Sequence, residues 1–359
     1  MNLSTLGWTD ALGASFASYS AAGLLPARVA LQHKNAYELL TAQGDVTAEC
    51  TGKLLHAATT SADLPAVGDW VAVRPRPYER HADIHAVLPR RTKFSRGAVG
   101  GTVDEQIIAT NVDTVFLVTA LDQNYNLRRI ERYLTVAWES GAQPVVVLNK
   151  ADLRPDAAHM VTEVQTAAGG APVITLSALH QSGVELLQPW LTPGSTIALL
   201  GSSGVGKSTL INSLLGAHRQ TTSDISTAVG KGRHTTTRRE LIVAPRGFLV
   251  IDTPGMRELQ LWDTSESAVD HAFADINVLA LRCRFSDCSH GSEPGCAIQA
   301  ALNDGTLDAN RWHSFQKLQR EQAYAARKAD ARLARENKTA WKRINRNLRA
   351  TERMKNAED

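Results

Sequence analysis

The spacing of apolar and polar residues changes character along this chain of 359 residues, and each change marks a different kind of element. From Arg28 to about Phe94, short strand-like stretches (ARVALQHK, AYELLT, DVTAEC, DWVAVRP and IHAVLP) are separated by turn formers. Five short strands in so few residues predict a small barrel of the OB kind; an SH3-like barrel fits the same pattern. RRTKFSRG, residues 90–97, reads as a basic exit from it. From about Asn111 to Trp262 the pattern becomes continuous apolar runs (TVFLVTA, PVVVLN, PVITLS, TIALLG and FLVIDT). Helix-period segments such as Leu127–Ser140 and Lys207–Leu215 lie between them. Such runs predict parallel strands buried on both faces, in a doubly wound α/β layer whose site lies in the loops at the strand ends. Beyond Thr306 there is no Gly or Pro. Trp312, Phe315 and Leu318, then Trp341, Ile344 and Leu348, recur at helical spacing. The Ala/Ser-rich start, with Leu6, Trp8, Leu12, Phe16 and Leu24, reads as a short helix or a loose arm. The chain thus divides into an arm (1–27), an OB-like barrel (28–97), an α/β domain (98–262) and a C-terminal helical region (263–359).

Charge and cysteine usage sharpen the last region. The net charge is only +3, but residues 311–359 hold 14 Lys/Arg against 6 Asp/Glu, a net +8 that leaves the remainder at −5. The basic helical end has two readings, a solvated face or a surface for the phosphate backbone of nucleic acid. Cys283, Cys288 and Cys296 cluster with His290, as Cys-x4-Cys-x-His-x5-Cys. Three thiolates and an imidazole fill the tetrahedral shell of Zn²⁺ with no open position, so one structural zinc site is expected. SDCSHGSEPGC has too few apolar residues to hold its shape without a crosslink, which a metal would supply. Cys50 reads as a buried strand residue. No apolar run reaches the ~18 residues of a membrane span, and no Lys or Arg precedes Arg28, unlike the charged start of a signal peptide. A cytoplasmic protein is expected, and nothing requires more than a monomer.

The chemistry lies in the α/β region. GSSGVGKS (Gly201, Ser202, Ser203, Gly204, Val205, Gly206, Lys207, Ser208), followed by Thr209, sits between a buried strand and a helix, the setting a P-loop demands. Its glycines let backbone N–H groups approach phosphate oxygens, Lys207 reaches the β- and γ-phosphates, and the Ser208 hydroxyl suits Mg²⁺. DTPG ends another strand: Asp252 would hold Mg²⁺ through water and the Gly255 N–H would sense the γ-phosphate. NKAD (Asn149, Lys150, Ala151, Asp152) ends a third. The Asp152 carboxylate would accept from guanine N1–H and the 2-amino group, a donor pair adenine does not offer, so the nucleotide would be GTP or GDP. Asn149 would support the loop and touch the base, while the Lys150 stem would cover its face. Backbone N–H groups of Ser177 and Ala178, in SAL, would meet the guanine carbonyl. Thr236, in GKGRHTTTRRE, is the expected second Mg²⁺ ligand, with Thr235 and Thr237 as neighbouring alternatives. Met256 stands where small GTPases usually carry a water-orienting Gln. His234 is the nearest group able to orient water, and a loop histidine in solvent or against a partner is the alternative.

NKAD before GSSGVGKST, then GKGRHTTT, DTPGM and the Cys-x4-Cys-x-His-x5-Cys site together resemble the circularly permuted ribosome small subunit-dependent GTPase A family (RsgA) over most of the chain. The resemblance implies a GTP hydrolase, weak alone and stimulated by the small ribosomal subunit, that binds this subunit and its rRNA late in maturation. It implies an OB-like barrel, a permuted P-loop GTPase domain and a zinc-binding helical module. His234 keeps the family's histidine before the three threonines. A nucleotide-regulated RNA-binding scaffold with little hydrolysis is the alternative that Met256 leaves open.

Overall fold

The computed structural model describes residues 2–34, 36–97, 105–123, 125–154, 156–216, 239–252, 272–291, 293–321 and 323. His234, Thr235, Thr236, Thr237, Gly255, Met256 and the apolar positions Trp341, Ile344 and Leu348 lie outside them.

Five strands, β1 (Leu25–Gln32), β2 (Tyr37–Thr41), β3 (Gly44–Cys50), β4 (Trp70–Pro75) and β5 (His81–Val87), close a barrel in the order β1-β2-β3-β5-β4-β1. β3 and β5 run parallel, with a short helix, Gly52–Ala57, between β3 and β4. A meander would pair β3 with β4; this crossover settles the barrel as the OB kind. Alternation puts Val29, Leu39, Ala48, Val71, Val73 and Ile84 inside.

RRTKFSRG is more than an exit. Lys93–Gly97 is a strand (β6) paired antiparallel with Glu105–Thr110 (β7), so Phe94 and Ile108 are buried. The N-terminal segment is docked, not loose. A 3₁₀ turn, Leu3–Leu6, leads into helix α1 (Asp10–Ala21), capped by the Thr9 hydroxyl. Trp8 packs edge-on between Phe16 and Trp70, at 5.6 and 4.7 Å between ring centroids.

The second layer is a sheet in the order β10-β9-β8-β11-β13-β12. Its parallel strands are β8 (Thr114–Ala120), β9 (Gln143–Asn149), β10 (Val173–Thr175), β11 (Thr196–Leu200) and β13 (Leu249–Asp252). All seven positions of β8 and all five of β11 are buried, as their unbroken apolar runs require. β12 (Glu240–Val243), which the apolar runs did not reveal, is antiparallel to β13 and meets β1 at Leu31 and Glu240, so barrel and α/β layer share one sheet. Helices α3 (Leu127–Ser140), α4 (Ala158–Ala167) and α5 (Lys207–Leu215) cover the layer, α2 being the Gly52–Ala57 helix of the barrel. α3 and α5 have the bounds predicted from periodicity. Their starts follow from Asn126, which caps the Arg129 N–H, and from Gly206, left-handed at φ 93°.

The C-terminal module packs helices Ala274–Ala280, Ala297–Asn303 and 309–321 around Phe273, Ile276, Ile298, Trp312, Phe315 and Leu318. The last three are the helical-spacing residues of the sequence.

Arg28 fixes the junction of arm, barrel and α/β layer. Its guanidinium is 1 % exposed and donates to Leu6 O, Gly68 O (3.3 Å), Asn111 O (3.2 Å) and Thr196 Oγ1 (2.8 Å). Burial pushes its pKa down to about 10, so it stays charged at neutral pH. Replacing Arg28 by Met takes the donor from four buried acceptors, of which Gly68 O keeps a bond, from Asn111 Nδ2 (3.1 Å), and is expected to cost about 3 kcal/mol or more. Arg28→Lys should restore little, because an ammonium cannot fork to all four. Thermal unfolding of both variants checks this.

Candidate functional site

The site forms where the parallel strands end, as the rule for open α/β sheets requires. Asp122 follows β8, Asn149 ends β9 and Lys150–Asp152 follow it, Ser177 and Ala178 follow β10, the Gly201–Ser208 loop follows β11, and Asp252 ends β13. β11 lies between β8 and β13, which brings the loops of three sequence regions to one edge.

Two glycines of the P-loop are dictated by what touches them. A Cβ on Gly201 would lie 2.2 Å from Val118 O. Gly206 has φ 93°, and a Cβ there would lie 2.3 Å from Asn149 Nδ2. The chain turns from Gly206 into α5, so the helix N-terminus faces the loop. The Lys207 ammonium donates to Gly201 O and Ser202 O, both at 2.7 Å.

Asn149 joins the loops. Its side chain is buried, with Nδ2 donating to Val205 O (2.8 Å) and Oδ1 accepting from the Ala178 N–H (2.9 Å). Its backbone oxygen accepts from Leu121 N–H (2.9 Å), after β8. One residue therefore ties the Gly201–Ser208 loop to the loops that follow β8 and β10. Lys150 takes the left-handed conformation, φ 62°, and its ammonium pairs with Asp122 (2.9 Å). Asp152 stands in the 3₁₀ turn Ala151–Leu153, with His180 Nε2 at 3.8 Å from its carboxylate.

At the β10 loop the structure amends the expectation. The Ser177 N–H donates to Ser182 O (2.8 Å) across a one-bridge turn, and the Ala178 N–H goes to Asn149. Both amides expected to face the base carbonyl already have acceptors, so a base oxygen there would share them. Leu179, an exposed residue, is next on the turn.

Two neighbours carried no motif. Asp122 could have been found from its place directly after a fully buried parallel strand. Arg129, on α3, donates from Nη1 to the Ser202 hydroxyl (3.0 Å); its only sequence signal is a helix beginning just after that strand.

A second centre lies in the C-terminal module. The ligand atoms of Cys283, Cys288, His290 and Cys296 all fall within 4.8 Å of one another. Cys283 Sγ is 4.0 Å from Cys296 Sγ and 3.5 Å from His290 Nδ1, and Cys296 Sγ is 3.7 Å from His290 Nδ1. A tetrahedron of ~2.3 Å metal–sulfur bonds has edges of about 3.8 Å, close to the three separations among Cys283, His290 and Cys296, and Cys288 completes the donor set within 4.8 Å. Desolvation pushes the Cys283 thiol up, but the Ala297 and Ile298 amides, with Cys288 and Cys296, more than offset it and hold it below the ordinary thiol range. His290 is left-handed, φ 58°, and stands edge-on to Trp312 at 5.7 Å. Gln299 Nε2 donates to His290 O (2.8 Å).

Glu293 braces that turn. It accepts from the Ser289 hydroxyl, the Ser289 N–H (3.0 Å) and the Gly291 N–H (2.8 Å), which bring its pKa down to about 2. A carboxylate held this low stabilises the turn fully above its unfolded pKa, and the contribution is lost as pH falls towards 2.

A family model described as RsgA GTPase matches residues 87–262. Among curated proteins the chain is 60 % identical to the small ribosomal subunit biogenesis GTPase RsgA of Opitutus terrae, over 99 % of both chains. It is 48 % identical to the protein of that name from Syntrophotalea carbinolica, over 90 % of this chain and 91 % of the relative. Among solved structures, YjeQ from Thermotoga maritima matches with a TM-score of 0.63 at 26 % identity, over 84 % of this chain and 99 % of that one. YloQ, a circularly permuted GTPase, has the same fold, with a TM-score of 0.59 at 21 % identity, over 84 % and 95 %.

Glu293→Gln keeps the size of the brace but loses its charge and one acceptor. It is expected to weaken metal retention at pH 7 by about tenfold, measured as zinc transfer to a colorimetric chelator.

Proposed function

This chain belongs to the RsgA family of GTPases, and from that premise we propose that it hydrolyses GTP in the course of small ribosomal subunit maturation, with hydrolysis accelerated by the subunit. The observation that carries this reading is the joining of the P-loop to the two base-side loops by the Asn149 amide, at the edge where Asp252 also ends.

In this reading the P-loop amides and Lys207 hold the phosphates, and Asp152 selects guanine. Ser208, and Asp252 through water, would hold Mg²⁺, which neutralises charge on the phosphates. Thr236 would join them, Gly255 would sense the γ-phosphate, and His234 would orient water in place of the Gln that Met256 replaces. The Cys283, Cys288, His290 and Cys296 cluster would hold one structural Zn²⁺, keeping the C-terminal module in shape to meet rRNA. That contact would be shared by the OB barrel and the basic helical end, whose charge suits a phosphate backbone. No helix among the described residues is long and apolar enough to cross a membrane. A monomer acting in the cytoplasm accords with a ribosomal partner.

Multiple-turnover phosphate release tests the reading. With GTP, small subunits should raise the rate about tenfold or more, while ATP should give no turnover with or without them. Equal GTP turnover with and without subunits would contradict the subunit-dependent step, and equal use of ATP would contradict the role of Asp152.

A further inference from the structure

Helix α3 touches both centres. On one side Arg129 donates to the hydroxyl of Ser202, and the carbonyl of Ser202 accepts from Lys207 (2.7 Å). A single P-loop residue therefore separates Arg129 from the lysine that faces the phosphates. The adjoining face of α3, carrying Arg128, Glu131 and Arg132, binds the C-terminal module.

That second contact is built as a clasp. Glu131 is fully buried on α3, a costly place for a carboxylate unless it is paired. Its Oε1 accepts from Arg311 (2.6 Å) of the module and from Arg128 (2.8 Å) of its own helix. Arg311 is fixed in turn by Asp275 (2.6 and 2.8 Å), by Ala272 O (3.1 Å) and by the ring of Phe273, 4.8 Å below its guanidinium. Arg128 also pairs with Asp308, and Arg132 with Glu321 (3.0 Å). Three ion pairs therefore set the position of α3 against the module. In a network of this kind the desolvated member, Glu131, suffers most when one partner shifts.

We propose that Arg129 is a positioning residue for GTP hydrolysis. Through the Ser202 hydroxyl it sets the P-loop, and its own place is set by the metal-binding module through Glu131 and Arg311. A module displaced by a partner would shift α3 and reach the phosphate lysine through Arg129 and Ser202, without passing along the chain after Asp252. A misplacement of about 1 Å at a reacting group can cost about 100-fold in rate. The idea rests on the reading that this edge binds GTP and that the small subunit acts on the C-terminal module.

The test uses the full chain with zinc bound. Arg129→Ala and Ser202→Ala should each lower kcat for GTP about tenfold or more, with KM and fluorescent-GDP affinity within about twofold of wild type. The double variant should be no worse than Arg129→Ala. Arg129→Lys, which keeps a donor, should recover part of the rate. Arg311→Lys should lower the subunit-stimulated kcat in the same way, and adding it to Arg129→Ala should cost little more. If Arg311→Lys does not fold, Arg132→Ala, on the rim of the clasp, takes its place. Unchanged kcat in Arg129→Ala, or losses in Arg129→Ala and Ser202→Ala that multiply, would overturn the proposal. Wild-type chain that turns over GTP without stimulation by subunits would instead contradict the proposed function. The Arg129 comparison would then still be read on basal turnover.

Discussion

The Asn149 side-chain amide is the contact on which the site depends. An amide offers a donor and an acceptor in one plane, and here each is spent on a backbone group of a different loop, Val205 O and the Ala178 N–H. Neither loop belongs to the secondary structure that ends at Asn149, so neither would be placed by its own strand alone. The amide is buried, which makes both bonds expensive to lose. Gly206 is the counterpart, since any side chain there would occupy the space of the Asn149 nitrogen.

This contact also explains why chain order can be rearranged without dismantling the site. The Gly201–Ser208 loop follows the Asn149–Asp152 turn in sequence, yet both lie at the C-terminal ends of parallel strands in one sheet, and the amide joins them. What the order changes is what lies beyond. The barrel is joined to the layer through β1, β12 and the Arg28 guanidinium, and the metal-binding module is pinned to α3 by Glu131 and Arg311. Both attached units are thus held by buried or partly buried charge as well as by apolar packing. A shift at either contact leaves a desolvated charged group short of its partners.

The fold was legible where burial is complete. β8, α3 and α5 could be bounded from sequence because a strand buried on both faces and an amphipathic helix each leave a continuous signature. β12, β6 and β7 were not, since strands of four to six residues that carry charged or polar positions leave no continuous apolar run. The docking of the N-terminal arm was hidden because the partners of Trp8 and Leu6, Trp70 and Arg28, lie far along the chain. Candidate residues picked from type and spacing, Lys207, Asp152 and the three cysteines with His290, stand at the strand-end edge or in one compact cluster. The two hydrogen bonds of the Asn149 amide, the engagement of the Ser177 N–H and the pairing of Glu131 with Arg311 could not be read that way. Their partners are backbone groups or residues far along the chain, and no local pattern encodes them.

The most direct measurement is the affinity of Asn149→Ala for a fluorescent GDP, with thermal unfolding as the check on folding. If the amide assembles the site, removing it leaves Val205 O and the Ala178 N–H buried without partners, and affinity should fall by about 100-fold while the protein remains folded. A folded variant that binds GDP within about threefold of wild type would contradict the account, because the loops would then be placed without the contact on which everything else here is built.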